Sequence, residues 1–474
     1  MTTTTPLTMT IDGSPATTFA TFTVTDPATG LPAGQAPDAT REQLDTAVAA
    51  ARRAQPAWAA LGPDERRDHL RAIADIIDAH TDELAGLVTA EQGKPLAVAV
   101  TEVSGLSFWL RETAGLDLPV TVNQDDAQRR SVTRHVPLGV VAAITPWNYP
   151  MGQLSFKLGP ALLAGNTVVV KPSDLAPLSA LRLGELIRQA VPAGVVNVVT
   201  GIGELGAWMS GHPGFDKISF TGSTRTGRAV MAGASASLTR VTLELGGNDP
   251  AVVLADADPE AVADQLFWAA FSNTGQICLA SKRIYLHTDV FDRVAARLVQ
   301  LADEVVVGDG RDEKTQIGPV SNRRQYDTVV DLLQDTVDQG YEILAGGLPD
   351  PDQAGYFIRP TIVGQPPETA RIVQEEQFGP VLPLLRYDDV DDAIARANAG
   401  EYGLGASVWS ADPQAALAVA ERIEAGTVWV NEVMHLSPTA AFGGLKQSGV
   451  GVESGQAGLL EFTERQTVTV RHPA

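Results

Sequence analysis

Between Gly139 and Leu243 the chain alternates short apolar runs with amphipathic stretches, which leaves few folds open. Residues 139–144, 167–170, 195–199, 217–220 and 241–243 read as short buried strands. Residues 154–163, 178–189 and 226–232 read as helices between them. Strands separated by helices pair in parallel, with helices on both faces. The expected class is therefore α/β, a Rossmann-like doubly wound sheet that takes ligands beyond its strand C-terminal ends.

The alternation restarts after Gly247, at residues 251–254, 283–286, 291–301, 406–409 and 427–430. A chain of 474 residues also exceeds what one core serves, so Gly246-Gly247 is the expected boundary between two α/β domains. Upstream, residues 44–61 and 63–92 have helical periodicity, with Asp64 and Glu65 in a first turn where acidic groups suit the dipole. Residues 118–136 and 464–470 are rich in Val and Thr and alternate with period two. They read as strands of a small β arm used in self-association. The expected division is 1–116 with 137–246 as the dinucleotide-binding domain, 247–446 as the catalytic domain, and 117–136 with 461–474 as the oligomerisation arm.

The formal charge of −22 repels phosphate backbones and anionic lipid surfaces, so neither nucleic acid nor membrane is an expected partner. Residues 1–10 have neither a basic segment nor an apolar one, and no run reaches eighteen apolar residues. A cytoplasmic location is expected.

Four places carry chemistry. Cys278 is the one cysteine of the chain and follows Asn273-Thr274-Gly275-Gln276-Ile277, a polar, flexible approach suited to an accessible thiol. A small buried core residue is the other reading. Two glycine patterns compete for phosphates: Gly201-Ile202-Gly203-Glu204-Leu205-Gly206, and Phe220-Thr221-Gly222-Ser223-Thr224-Arg225-Thr226-Gly227 at a strand end. Either is also a capped turn. Lys171-Pro172-Ser173-Asp174 ends another strand, where it holds ribose hydroxyls or forms a surface ion pair. Glu244 lies among leucines before two glycines, as a base with a raised pKa or as half of a structural ion pair.

Together these segments resemble the aldehyde dehydrogenase superfamily. The resemblance runs through Ile144-Thr145-Pro146-Trp147-Asn148-Tyr149-Pro150, Lys171-Pro172-Ser173, Phe220-Thr221-Gly222-Ser223-Thr224 and Leu243-Glu244-Leu245-Gly246-Gly247. It continues in Gly275-Gln276-Ile277-Cys278, Glu375-Glu376-Gln377-Phe378-Gly379-Pro380 and Phe442-Gly443-Gly444-Leu445-Lys446-Gln447-Ser448-Gly449. The segments keep order and spacing from about Gln35 to the C-terminus.

The resemblance implies that Cys278 attacks an aldehyde carbon. A free thiol is only ~3% thiolate at pH 7, so it needs local activation. Asn148 and the Cys278 backbone N–H would form the oxyanion hole, each donor worth about 3 kcal/mol in the transition state. After hydride loss leaves a thioester, Glu244 would activate the hydrolytic water. Lys157 and Glu453 would line a water or proton path beside it. The second glycine pattern, with Gly222, Ser223 and Gly227, would meet the pyrophosphate of NAD, or of NADP. Trp147, Lys171, Ser173 and Asp174 would lie on the adenosine side. Thr221, Glu376 and Phe378 would lie near the nicotinamide and its ribose, with Thr145 and Leu245 in the same cleft.

Asp174 replaces the family's usual glutamate; it keeps the charge with a shorter reach, which favours NAD while leaving NADP open. Asn248 stands where lysine is usual and Ala441 where proline is. Tyr149, Gln153, Phe156, Ile277, Leu279, Leu436 and Phe442 are expected to line the aldehyde tunnel. That largely apolar set, without an arginine, favours aliphatic or aromatic aldehydes over semialdehydes of dicarboxylic acids. Glu244 argues against a CoA-acylating relative. Retention of nucleophile, amide and both glutamates argues against a non-catalytic scaffold. No metal is implied, and the arm implies a homodimer or homotetramer.

Overall fold

The computed structural model describes residues 6–473, so residues 1–5 of the threonine-rich start and residue 474 of the arm lie outside the described residues. Its first sheet runs in the order Ser14–Ala16, Met9–Ile11, Val196–Val198, Thr167–Lys171, Val140–Ile144, Lys217–Thr221, Arg240–Glu244, Gly449–Val450. The five central strands are parallel. Successive strands proceed from Val140–Ile144 to one side, then return to its other side with Lys217–Thr221. The order therefore reverses between Ile144 and Thr221, where such sheets open a crevice for ligands.

Four of these strands are buried throughout because helices cover both faces, and Arg240–Glu244 is buried over its last three residues. The strands Met9–Ile11 and Gly449–Val450 pair antiparallel at the two sides of this sheet. Neither was foreseen. The segment 63–92 is two helices, Pro63–Ala79 and Thr81–Gln92, broken at His80 (φ −122°, ψ 18°). Glu65 closes the first turn by accepting from the Gly62 N–H at 2.8 Å.

The second sheet runs Glu342–Ala345, Thr361–Gly364, Val381–Tyr387, Ser281–His287, Asp249–Val253, Gly405–Trp409, Thr427–Val430. All its pairings are parallel except the first. Glu244 ends the last parallel strand of one sheet and Asp249 begins a strand of the other, so four residues link the C-terminal edge of the first to the N-terminal edge of the second. The site forms along that seam.

The segment expected as an arm strand over 118–136 is a hairpin, Val120–Asp125 and Arg129–Pro137, and Thr463–Arg471 pairs antiparallel with its second strand. No helix of the described residues is long and apolar enough to cross a membrane.

Candidate active site

Cys278 follows the helix Pro259–Phe271, which Asp258 caps, and a turn in which Asn273, Thr274 and Gly275 all take positive φ (50°, 61° and 69°). A β-branched residue pays for that conformation, so surrounding bonds must hold it. The Thr274 hydroxyl donates to the Gly318 carbonyl at 2.9 Å. A Cβ on Gly275 would overlap the Gly379 carbonyl and stand 2.5 Å from Lys282 Nζ, so only glycine fits. The turn delivers a half-buried Cys278 to the seam.

Around the sulfur lies an apolar cluster of Ile277, Leu279, Ala280, Leu404 and Trp429, with Tyr149, Val433, Met434, Leu436 and Phe442 packed against it. Five of the seven expected tunnel residues thus meet at Cys278. Phe156 instead packs edge-on to Trp109, centroids 5.0 Å apart, and Gln153 bonds through its backbone N–H to the Tyr149 carbonyl.

Asn148 follows the strand Val140–Ile144 and is buried. One Nδ2 hydrogen donates to the Gln276 carbonyl at 2.9 Å, two residues before the nucleophile, which leaves the other for an oxyanion. Glu244 is 3% exposed, and neither carboxylate oxygen has a hydrogen-bond partner. Burial, reinforced by the charge of Glu453 and opposed by Lys157, holds its carboxyl well above the usual range. Lys157 donates to Glu453 Oε1 at 2.6 Å, Thr221 Oγ1 at 2.8 Å and Ser219 Oγ at 3.3 Å.

The sequence implies that the thiol needs local activation, and its surroundings in this structure raise its pKa rather than lower it. Burial and the charges of Glu244, Asp249 and Glu376 push it up.

Other expected cofactor residues converge on the C-terminal edge of the first sheet. Ser223 caps the helix Thr224–Ala234 and accepts from the Thr226 N–H at 3.3 Å, at an exposed helix N-terminus. A Cβ on Gly227 would overlap the Leu245 side chain, so glycine brings this helix close to the strand end. The Gly222 N–H donates to the Glu244 carbonyl. Lys171 is buried, with Nζ 3.1 Å from the Pro172 carbonyl, and burial lowers its pKa. Ser173 Oγ stands 3.4 Å from Asp174 Oδ1. Thr145 Oγ1 is buried without a partner. Glu376 accepts from the Gly247 N–H at 3.0 Å, and burial raises its carboxyl to about 7. The rings of Trp147 and Phe378, expected towards opposite ends of the cofactor, lie 5.4 Å apart edge to face. Trp147 and Phe378 thus stand side by side in the cleft.

The family model for the aldehyde dehydrogenase family matches residues 14–468. The chain belongs to that family. It is 40% identical over 467 residues to phenylacetaldehyde dehydrogenase of Pseudomonas fluorescens, covering 95% of this chain and 93% of that protein. It is also 40% identical over 446 residues to the NADP(+) succinate-semialdehyde dehydrogenase of Escherichia coli K12, covering 93% and 92%. The NAD+ complex of an aldehyde dehydrogenase from Bacillus cereus superposes with a TM-score of 0.96 at 36% identity, covering 98% of this chain and 97% of that one.

Several residues of this family member escaped the sequence reading. Lys94 and Glu102 form a fully buried ion pair behind Asn148. Lys282 donates to the carbonyls of Ala270 and Gly379, and burial lowers its ammonium to about 7. Asp249 is buried with both oxygens unpartnered, and burial raises its carboxyl. A lysine among ordinary helix and strand residues gives no pattern; only its burial sets it apart.

Proposed function

We propose that this aldehyde dehydrogenase oxidises an apolar aliphatic or aromatic aldehyde to its carboxylic acid with NAD(P)+, using Cys278 as nucleophile. The observation that carries this reading is the convergence at one sulfur of an apolar cluster, an amide and an unpartnered carboxylate. The cleft suits the cofactor: an exposed, serine-capped helix N-terminus favours a pyrophosphate, and Thr145 Oγ1 has a bond to give. Thr145, Trp147, Lys171, Ser173, Asp174, Thr221, Gly222, Ser223, Gly227, Leu245, Glu376 and Phe378 would hold it. When bound, NAD(P)+ supplies the hydride acceptor and a positive charge beside the thiol.

Cys278 Sγ adds to the carbonyl carbon as its thiol proton passes to solvent, so Glu244 stays free for the hydrolytic step. The Asn148 amide and the Cys278 N–H bear the resulting oxyanion. Loss of hydride from the adduct leaves a thioester on Cys278. Glu244 then takes a proton from water, whose oxygen attacks the thioester, and the acid leaves as the thiol is restored. Glu244 hands that proton to the departing thiolate, and Lys157 with Glu453 would line the water path beside it.

The apolar cluster and the phenylacetaldehyde-oxidising relative both favour an apolar substrate. The test is reduced-cofactor formation with aliphatic, aromatic and semialdehyde substrates, each with NAD+ and NADP+, with and without CoA. Turnover without CoA and highest kcat/KM for apolar aldehydes is expected. Preference for a semialdehyde would overturn the substrate assignment, and acyl-CoA formation would overturn the hydrolytic step. We further infer a homodimer or homotetramer built on the three-stranded arm. The cytoplasm suits a mechanism that needs a reduced thiol.

A further inference from the structure

Lys94 and Glu102 lie at the start of the helix Leu96–Ala114, far in sequence from the site, with side chains 0% and 1% exposed. Their Nζ and Oε2 are 2.5 Å apart. A buried ion pair is poor evidence of added stability, since desolvating both charges offsets their attraction. Its geometry is more informative. Lys94 Nζ also donates to the Asn148 carbonyl at 2.9 Å and stands 3.7 Å above the Tyr149 ring. Glu102 Oε1 accepts from the backbone N–H groups of Met151 (2.9 Å) and Gly152 (3.0 Å), where the helix Gly152–Leu163 begins. Beyond the pair itself, every one of these side-chain contacts falls on residues 148–152.

Asn148 is consequently held from two sides. Its carbonyl takes bonds from Lys94 and from Asn273 Nδ2 at 3.1 Å, and its side chain is aimed by the Gln276 carbonyl. The ammonium satisfies its three donor directions on Glu102, Asn148 and an aromatic face, and the carboxylate anchors the next turn. We propose that Lys94 and Glu102 are positioning residues that set the Asn148 amide for the oxyanion. This rests on the reading of Asn148 as an oxyanion donor. A donor must lie within a few tenths of an ångström of its productive place, and a misplacement of about 1 Å costs up to about 100-fold in rate.

The experiment is a double-mutant cycle on the holoenzyme. Lys94→Met with Glu102→Gln removes both charges together, so no lone buried charge remains, and the amide oxygen can still accept from the loop. The pre-steady-state rate of reduced-cofactor formation is measured in this pair variant, in Asn148→Ala and in the combination. Cofactor KM and thermal unfolding are measured alongside. The pair variant is expected to slow hydride release about 10- to 100-fold, with cofactor KM unchanged. In the Asn148→Ala background the same change should cost less than about two-fold. Equal losses in both backgrounds, or no loss beside an intact Asn148, would overturn the positioning role. A harmless Asn148→Ala would instead overturn the oxyanion reading beneath it. If the pair variant does not fold, Lys94→Arg, which keeps the charge beside Glu102 but changes the reach to the Asn148 carbonyl, serves for the same cycle.

Discussion

Glu244 illustrates at the residue scale how burial sets function. Its two oxygens have no partner, so the carboxyl titrates above its ordinary range, and a general base works only when ionised. Thioester hydrolysis is thus expected to rise with pH through that raised pKa. Glu453 pushes the pKa up and Lys157 pulls it down, which gives two mutations of opposite sign. Glu453→Gln removes a negative neighbour and leaves the ammonium unpaired, so the acidic limb of kcat should move down by about one pH unit. Lys157→Met leaves Glu453 unpaired and should move it up by a similar amount. pH profiles of kcat check both, and shifts of the same sign would refute the coupling. Glu244→Gln should leave a burst of reduced cofactor and slow its steady-state production about 100-fold or more, seen by stopped-flow. Cys278→Ala should show neither burst nor turnover while still binding the reduced cofactor.

The glycines belong to the element scale, because they decide how closely strand ends and helices approach. A Cβ on Gly247 would overlap the Cys278 carbonyl and stand 2.9 Å from Asp249 Oδ1. Neither the backbone nor the buried carboxylate yields easily, so Gly247→Ala should displace the nucleophile loop and lower kcat at least 10-fold. At Gly227 the obstacle is the movable side chain of Leu245. Gly227→Ala should cost about 1–3 kcal/mol in stability and raise the cofactor KM several-fold, measured by thermal unfolding and by titration of NAD+. Much of this scale was legible beforehand. The parallel strands of the first sheet showed as apolar runs because two-sided burial demands them. The strand Val381–Tyr387 did not, because Pro383 interrupts it. Its pairing with Ser281–His287 begins only at Leu384, so the missing N–H lies outside that ladder. Lys94 and Glu102 were illegible for another reason. They act through backbone groups about fifty residues away, and a buried ion pair has no local pattern.

At the scale of the whole molecule, the arm is the part that no core accounts for. Val132 lies across from Val122 in one neighbouring strand and from Val468 in the other, so three valines form a row over the sheet. Val122 and Val468 are 54% and 40% exposed. The strands carrying them are the two edges of this sheet. Exposed edges and an apolar row are what a second copy would cover, and sheets left open in this way pair indiscriminately. Val122→Glu with Val468→Glu puts two like charges on that row while leaving its backbone pairing in place. The expected result is a smaller assembly by analytical ultracentrifugation, with the Cys278 site still able to bind cofactor because the arm lies outside both large sheets. An unchanged mass would move the interface to another surface. Loss of cofactor binding in a folded, smaller species would mean instead that assembly completes the seam between the two sheets.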